Sequence, residues 1–330
     1  MKAVIDDKIP YIKGQIEQLV DETVYLPGSD ISADDVRDAD ILIVRTRTHC
    51  DRMLLGGSPV KLVVTATIGF DHLDTPYLDS AGIRWTNCPG CNASSVRQYV
   101  HNALLATGYL RPGMTAGVVG VGHVGSLVAD DLETMGIHVL RCDPPKGEPA
   151  TLDEIADEAD IITFHTPLTY DGDCPTWHIA DETFFCRLTH KPLIINSSRG
   201  AVVDNKALIR ALDKRQVCDA IIDTWEGEPN LNLELLKKAV IATPHIAGYS
   251  ADGKANATRM SLQAVCKLIG KPFTLDIQPP TLPDGFAYGE CKEGPLRLYD
   301  PRVDTALLKA QPGLFEYFRG HYPLRREFER

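Results

Sequence analysis

Six residues constrain this chain more than any others: Gly120-Val121-Gly122-His123-Val124-Gly125. The pattern G-x-G-x-x-G recurs by chance in many proteins, so its surroundings decide its meaning. Here it follows an apolar run, Ala116–Val119, and opens a helical pattern. An acid, Asp143, stands about 20 residues further on, at the end of the next apolar run. Each glycine then has a physical task. The first permits a tight turn, the second lets backbone approach a pyrophosphate, and the third lets helix and strand pack closely. The helix start at His123 and Val124 presents N–H groups and a positive dipole end to phosphate. Asp143 would accept hydrogen bonds from the adenosine ribose and repel a 2′-phosphate, so NAD is expected rather than NADP. Arg141, a cation that could argue the other way, is two positions earlier.

The rest of the chain reads as the same kind of fold. Lys2–Ile5, Val24–Leu26, Ile41–Arg45 and Lys61–Ala66 are short apolar runs, as are Ile137–Arg141, Asp160–His165, Leu193–Ser197, Ala220–Thr224 and Val240–Thr243. Continuous apolar runs suit parallel strands buried on both faces. Helical spacing lies between them, and strand alternating with helix implies a parallel α/β sheet. Ile12, Ile16, Leu19 and Val20 after Pro10 predict a first helix, and Ala93–Thr107 and Gly253–Ile269 predict two long ones. The stretch 278–285, rich in proline, reads as a linker, and the tail beyond it is short for a core of its own. That tail is expected to pack on the body or on a second subunit.

Composition narrows the partners. With 34 Lys+Arg against 45 Asp+Glu, the net charge is −11, which disfavours a general binder of nucleic acid or anionic membrane. No apolar run approaches the roughly 18 residues of a membrane span. The opening MKAVIDDKIP carries acids where a secretory signal would be apolar, so a cytoplasmic protein is expected. Nine scattered cysteines read as free thiols in a reducing compartment. Cys88-Pro89-Gly90-Cys91 has dithiol or half-zinc-site spacing. No second pair completes a metal set, so no metal is expected.

Three further segments each follow a strand, where open α/β sheets place their chemistry. They are 196–200 (NSSRG), 223–229 (DTWEGEP) and 243–249 (TPHIAGY). Together with the glycine loop they resemble the D-isomer-specific 2-hydroxyacid dehydrogenase family, which carries an Arg, a Glu and a His in this order. The resemblance implies Arg199, Glu228 and His245 as catalytic residues. It also implies cofactor contacts from Thr166, the Ser197-Ser198 backbone, Asp223 and Gly248, beside Gly120, Gly122, His123, Val124, Gly125 and Asp143. Segments 65–67 with Asp71-His72, 89–93, 142–145 and 199–205 narrow the likeness to a branch acting on a 4-phosphorylated 2-hydroxy acid in pyridoxal phosphate synthesis. The resemblance extends to the tail, where 322–328 looks like that branch's dimerisation domain, which usually runs further.

The chemistry fits these residue types on its own terms. Oxidising a 2-hydroxy acid removes hydride from C2 and a proton from its hydroxyl. A neutral imidazole, titrating near pH 6.5, suits His245 to take that proton. A carboxylate at Glu228 would orient the ring and favour the imidazolium. Arg199 would grip the substrate carboxylate with two parallel bonds. Asp204, ahead of a helical pattern, reads as an N-cap, and Glu226 as non-catalytic.

Substrate recognition is expected from Thr46, Thr67 and Tyr249, positions that match the branch, and from Arg45 in the run 44–48 (VRTRT), with Arg47 beside it. The expected architecture is α/β with two Rossmann-like lobes and a small C-terminal dimerisation domain. A flavodoxin-like substrate lobe would take 1–88 and 249–272, an NAD-binding Rossmann lobe 89–248, and linker and tail 273–330. The active site would lie in the cleft between the lobes. The expected partners are a phosphorylated 2-hydroxy acid and a second copy of the chain, with neither nucleic acid nor membrane. The alternatives are a dehydrogenase of another hydroxy acid such as 3-phosphoglycerate, and a non-catalytic NAD-responsive binding protein.

Overall fold

The computed structural model describes residues 1–328. The chain forms two compact units, one from 1–92 with 250–281 and one from 93–249 with Leu282 onward. In chain order, unit 1 begins with strand β1 (Lys2–Asp6), β2 (Glu22–Leu26), helix α1 (Ala33–Val36), β3 (Ile41–Val44), α2 (Arg52–Leu55), β4 (Leu62–Thr65), α3 (Thr75–Ser80) and β5 (Arg84–Thr86). Unit 2 runs α4 (Ala93–Thr107), β6 (Thr115–Val119), α5 (His123–Thr134), β7 (His138–Cys142), α6 (Leu152–Glu158), β8 (Ile161–Phe164), α7 (Glu182–Arg187), β9 (Leu193–Asn196), α8 (Asn205–Asp213), β10 (Asp219–Ile222), α9 (Leu233–Lys238) and β11 (Ile241–Ala242). The long α10 (Ala251–Ile269) returns to unit 1, and α11 (Pro295–Leu298), α12 (Pro301–Ala310) and α13 (Phe315–Gly320) form the tail.

Both sheets are parallel throughout. Unit 1 has the order β2-β1-β3-β4-β5, the flavodoxin-like arrangement. Alternate residues of its strands feed two cores. Ala3, Ile5, Ile43 and Val64 face Leu262 and Val265 of α10, while Val4, Leu42, Val44 and Val63 face Val36, Leu55 and Leu78 of the short helices. Unit 2 has the order β11-β10-β9-β8-β6-β7. Its strand order reverses at β6, so the β6–α5 loop opens at the switch point where such sheets take ligands. Val96, Val100 and Leu104 of α4 cover one face, and Ile155, Phe184 and Leu208 the other. The tail packs on unit 2, with Leu308 and Phe315 in one of its cores and Tyr299 in the other.

One element differs from expectation. The periodic run after Pro10 forms turns and a single 3-10 turn, Ile16–Gln18, rather than a helix. Tyr11 and Gly14 adopt left-handed backbone, with φ of 60° and 80°, which no helix accommodates. Ile12 and Ile16 are nonetheless fully buried, so the spacing marked burial rather than coiling. Among the described residues, no helix is long and apolar enough to cross a membrane.

Candidate active site

The glycine loop is built as its spacing requires. Gly120 has φ of +89°, and a Cβ there would lie 2.8 Å from the backbone of Thr166. A Cβ on Gly125 would fall 1.8 Å from the Gly120 carbonyl oxygen, so only glycine lets α5 close on β6. Gly122, the N-cap of α5, faces open space apart from Lys146 Nζ, 3.8 Å from where its Cβ would be. The exposed His123 begins the helix, with Val124 next to it. Asp143 closes the loop, its Oδ2 accepting the Val121 amide at 2.8 Å. Arg141 is engaged elsewhere, its Nη2 lying 2.8 Å from Asp130 and 3.0 Å from Glu133.

The surroundings of this loop fit a dinucleotide. Among the described residues, the buried Thr166 Oγ1, Ser197 Oγ and His165 Nδ1 have no hydrogen-bond partner. Buried polar atoms normally find one, so a ligand is the natural source. His165 Nε2 sits 2.9 Å from Thr163 Oγ1, and burial pushes the ring's pKa down to about 3, keeping it neutral. Thr166, Ser197, Asp143 and the amides beside Gly122 are thus the groups that would hold NAD.

Three loops at the carboxyl ends of β9, β10 and β11 carry the other candidates. Arg199 follows β9 and donates from Nη1 to the Ser198 carbonyl at 2.9 Å. Ser198 is itself fixed by its hydroxyl donating to Asn196 Oδ1 at 2.9 Å. A Cβ on Gly200 would lie 2.0 Å from the Trp225 carbonyl oxygen, which presses the Arg199 loop against the next one. Trp225 in turn donates from Nε1 to the Thr243 carbonyl at 2.9 Å, tying the second loop to the third.

Glu228 and His245 meet on these loops. Glu228 Oε2 lies 2.8 Å from His245 Nδ1, and its Oε1 accepts the Trp225 amide at 2.8 Å. Burial alone would raise the Glu228 carboxyl. The hydrogen bond and charge of His245, the Trp225 amide and the charge of Arg319 outweigh it and hold the group below the usual carboxylate range. With Nδ1–H donated to a carboxylate, His245 presents Nε2 for proton exchange.

The His245 loop has left-handed backbone at its centre, φ 54° at His245, a conformation costing a non-glycine residue of order 1–3 kcal/mol. Asp223 holds it in place. Its carbonyl accepts the His245 amide at 2.9 Å, its Oδ1 accepts the Ile246 amide at 2.8 Å and the Thr243 hydroxyl at 2.6 Å, and its Oδ2 accepts the Ala247 amide at 3.0 Å. Gly248 and Tyr249 end the loop, and the Tyr249 amide turns back to the Ile246 carbonyl at 2.8 Å. Asp204 caps α8, accepting the amides of Lys206 and Ala207 at 2.8 and 3.0 Å. Glu226 pairs with His178 at 2.7 Å.

In unit 1, Arg45 leaves the end of β3 half-buried. It donates from Nε and Nη2 to Asp6 at 3.1 and 3.2 Å. Asp6 is fully buried at the end of β1. Thr46 is exposed beside Arg45, and Thr67 Oγ1 lies 2.7 Å from Thr65 Oγ1. Cys88 and Cys91 are both buried and are not joined in a disulfide. Cys88 donates to the carbonyls of Thr65 and Ala257, and burial lifts its thiol to about 11, so it is no reactive thiolate.

The sequence reading missed two cations. Arg319 of α13 donates to the Tyr249 hydroxyl at 3.4 Å. Lys254 of α10 is pushed down by burial and by the Arg45 guanidinium. No local pattern marks either one.

Residues 93–247 match the family model described as the NAD binding domain of D-isomer specific 2-hydroxyacid dehydrogenases. The chain is 52% identical to erythronate-4-phosphate dehydrogenase of Bacteroides fragilis, over 99% of this chain and 97% of that one. It is 42% identical to the enzyme of that name from Porphyromonas gingivalis, over 100% and 94%. Solved structures share the fold at lower identity. D-lactate dehydrogenase of Aquifex aeolicus, complexed with NAD and lactic acid, gives a TM-score of 0.63 at 22% identity, covering 82% of this chain and 96% of that one. D-mandelate dehydrogenase of Rhodotorula graminis gives 0.70 at 20%, covering 85% and 99%. Fold and near-full-length relatives agree, and the chain belongs to the D-isomer-specific 2-hydroxyacid dehydrogenase family, in its erythronate-4-phosphate dehydrogenase branch.

Proposed function

We propose that this chain oxidises 4-phospho-D-erythronate to (R)-3-hydroxy-2-oxo-4-phosphooxybutanoate with NAD, in the synthesis of pyridoxal 5′-phosphate. The observation that carries the mechanism is the His245–Glu228 pair at 2.8 Å, on a loop held by Asp223. His245 Nε2 takes the proton of the C2 hydroxyl as the C2–H bond breaks. Glu228 keeps the ring in the Nδ1–H tautomer and stabilises the imidazolium. Arg199 binds the substrate carboxylate and polarises the C2 oxygen. When bound, NAD supplies the acceptor for the C2 hydride. Asp143, Thr166, Ser197, Ser198, Asp223 and Gly248 with the glycine loop hold it, and Tyr249 contributes to the substrate site.

We assign the substrate phosphate to Arg45, with Thr46 and Thr67. Asp6 holds the Arg45 guanidinium through Nε and Nη2, and the neighbouring Lys254 adds positive charge that an anion would offset. The branch name of the relatives supports this substrate over other hydroxy acids. We also read the protein as a cytoplasmic homodimer that binds no nucleic acid. Exposed Leu307, Leu314 and Tyr317 on the tail suit burial against a second copy, and the net charge of −11 suits neither nucleic acid nor an anionic surface.

A panel of 2-hydroxy acids with NAD tests the reading. 4-phospho-D-erythronate should give the highest kcat/KM. Faster turnover of 3-phosphoglycerate or D-lactate would overturn the substrate and leave the reaction class standing.

A further inference from the structure

Arg325, near the end of the described chain, is fully buried. A buried guanidinium persists only where its donors are met. Here Nε donates to Gln98 Oε1 at 2.9 Å, Nη2 to the Ser95 carbonyl at 2.6 Å, and Nη1 to the Ile246 carbonyl at 3.2 Å. The guanidinium carbon lies 3.8 Å from the centre of the Tyr299 ring, a close cation–π contact. Gln98 completes the clasp, donating from Nε2 to the Arg326 carbonyl at 2.9 Å. The segment leading to Arg325 is anchored too, because Tyr322 and Tyr288 both donate to the buried Asp304 at 2.9 Å.

One of these partners matters for chemistry. Ile246 follows His245 directly. The amides of Ile246 and Ala247 are held by Asp223, and the Ala247 carbonyl accepts the Ser95 hydroxyl at 2.8 Å. The Ile246 carbonyl accepts the Tyr249 amide within its own turn, and its contact from outside the turn comes from Arg325. A loop with left-handed backbone at its key residue stays so only when its surroundings over-determine it.

We propose that Arg325 is a positioning residue for His245, so that the C-terminal tail completes the catalytic loop besides any part in assembly. This rests on the reading of His245 as the proton acceptor. Lysine at 325 keeps the charge, but its compact ammonium cannot reach three acceptors in the fork that arginine spans. The loop would then relax, and the Glu228–His245 pair would loosen with it.

The test compares wild type with Arg325→Lys by pH–rate profile and by NADH binding through fluorescence. In Arg325→Lys, kcat should fall about tenfold or more, as misplaced catalytic groups do. The acid limb should move down by about 0.5 pH unit as the imidazolium loses part of its carboxylate partner. The Kd for NADH should stay within about twofold, since the loss is not one of ground-state binding. An unchanged kcat, or a lower kcat with an unmoved limb, would overturn the proposal whatever the thermal stability. Should Arg325→Lys not fold, Gln98→Met, which keeps the guanidinium and removes one acceptor, is read by the same two quantities. His245→Ala separates the two levels. Full activity there removes the reading of His245 itself, whereas an inactive His245→Ala beside a normal Arg325→Lys removes only the role of Arg325.

Discussion

Glu228 serves two partners at equal distance, His245 Nδ1 from one oxygen and the Trp225 amide from the other, each at 2.8 Å. The amide fixes where the carboxylate stands, and the carboxylate fixes how the imidazole faces. A base oriented by a group that is itself oriented needs little rearrangement when the proton moves.

Glu228→Gln keeps an oxygen for the Trp225 amide but removes the negative charge beside the ring. The imidazolium that forms on proton transfer then loses its stabilising partner. The acid limb of kcat/KM should shift about one unit lower, with kcat down at least about tenfold. An unmoved limb in the pH–rate profile removes Glu228 from its role.

Gly125→Ala and Gly122→Ala should separate packing from ligand binding. At Gly125 the new methyl would meet the Gly120 carbonyl at 1.8 Å, and backbone cannot yield cheaply there. A loss of about 1–3 kcal/mol or more is expected, as for other overpacked sites. Gly122 has open space, so its variant should melt like wild type and lose NAD affinity alone. Thermal denaturation and NADH titration measure both, and equal melting losses would contradict the packing.

Asp143→Ser should relax the preference for NAD over NADP by about tenfold or more, because a negative charge no longer opposes the 2′-phosphate. Arg141 stays bound to Asp130 and Glu133, so the variant should not come to prefer NADP. Dissociation constants for NADH and NADPH decide it, and an unchanged ratio rules out Asp143 as the discriminator.

Arg45 cannot be tested by itself, because its loss leaves the buried Asp6 unpaired. The double variant Asp6→Asn, Arg45→Met avoids this. It should raise KM for the phosphorylated substrate at least about tenfold and leave NADH affinity unchanged, since a lost charge-assisted bond of this kind is worth about 1.5–3 kcal/mol. Normal KM would move the phosphate to another cation.

His165 predicts an acid-sensitive fold. The unfolded chain protonates this ring near the ordinary 6.5, and the folded one only at about 3. Between those values the unfolded state binds the extra proton, so stability falls as pH drops below about 6.5, by up to ~1.4 kcal/mol per pH unit from this one ring. Urea unfolding at pH 7 and pH 5 should show the loss in wild type and less of it in His165→Asn. Equal losses in both would mean the ring titrates normally.

The glycine loop, the bounds of α4 and the three strand-end loops were legible because each is a local pattern. Apolar runs mark doubly buried strands, and a Gly125 spacing marks the contact with Gly120 five residues away. What could not be read came from pairing over distance. Asp6 reaches Arg45 because β1 and β3 pair in parallel. Arg325 reaches Ile246 because the tail packs back on unit 2. Neither leaves a trace in spacing, since the chain between carries no shared period. The turns after Pro10 failed for another reason, since backbone at Tyr11 and Gly14 overruled a pattern that reported only burial.

The order in which the chain leaves the ribosome has a consequence for unit 1. Its sheet is complete once Thr86 has emerged, yet Leu262 and Val265 of α10, which cover the face of Ala3, Ile5 and Val64, come only after all of β6 to β11. At ordinary rates of synthesis that interval is on the order of 10 s or more. Throughout it, that apolar face has only the N-terminal segment of Ile9, Ile12, Ile16 and Val20 to cover it. Unit 1 therefore keeps part of its core unfinished until α10 is made, a stage at which transiently exposed apolar surface favours association with other chains.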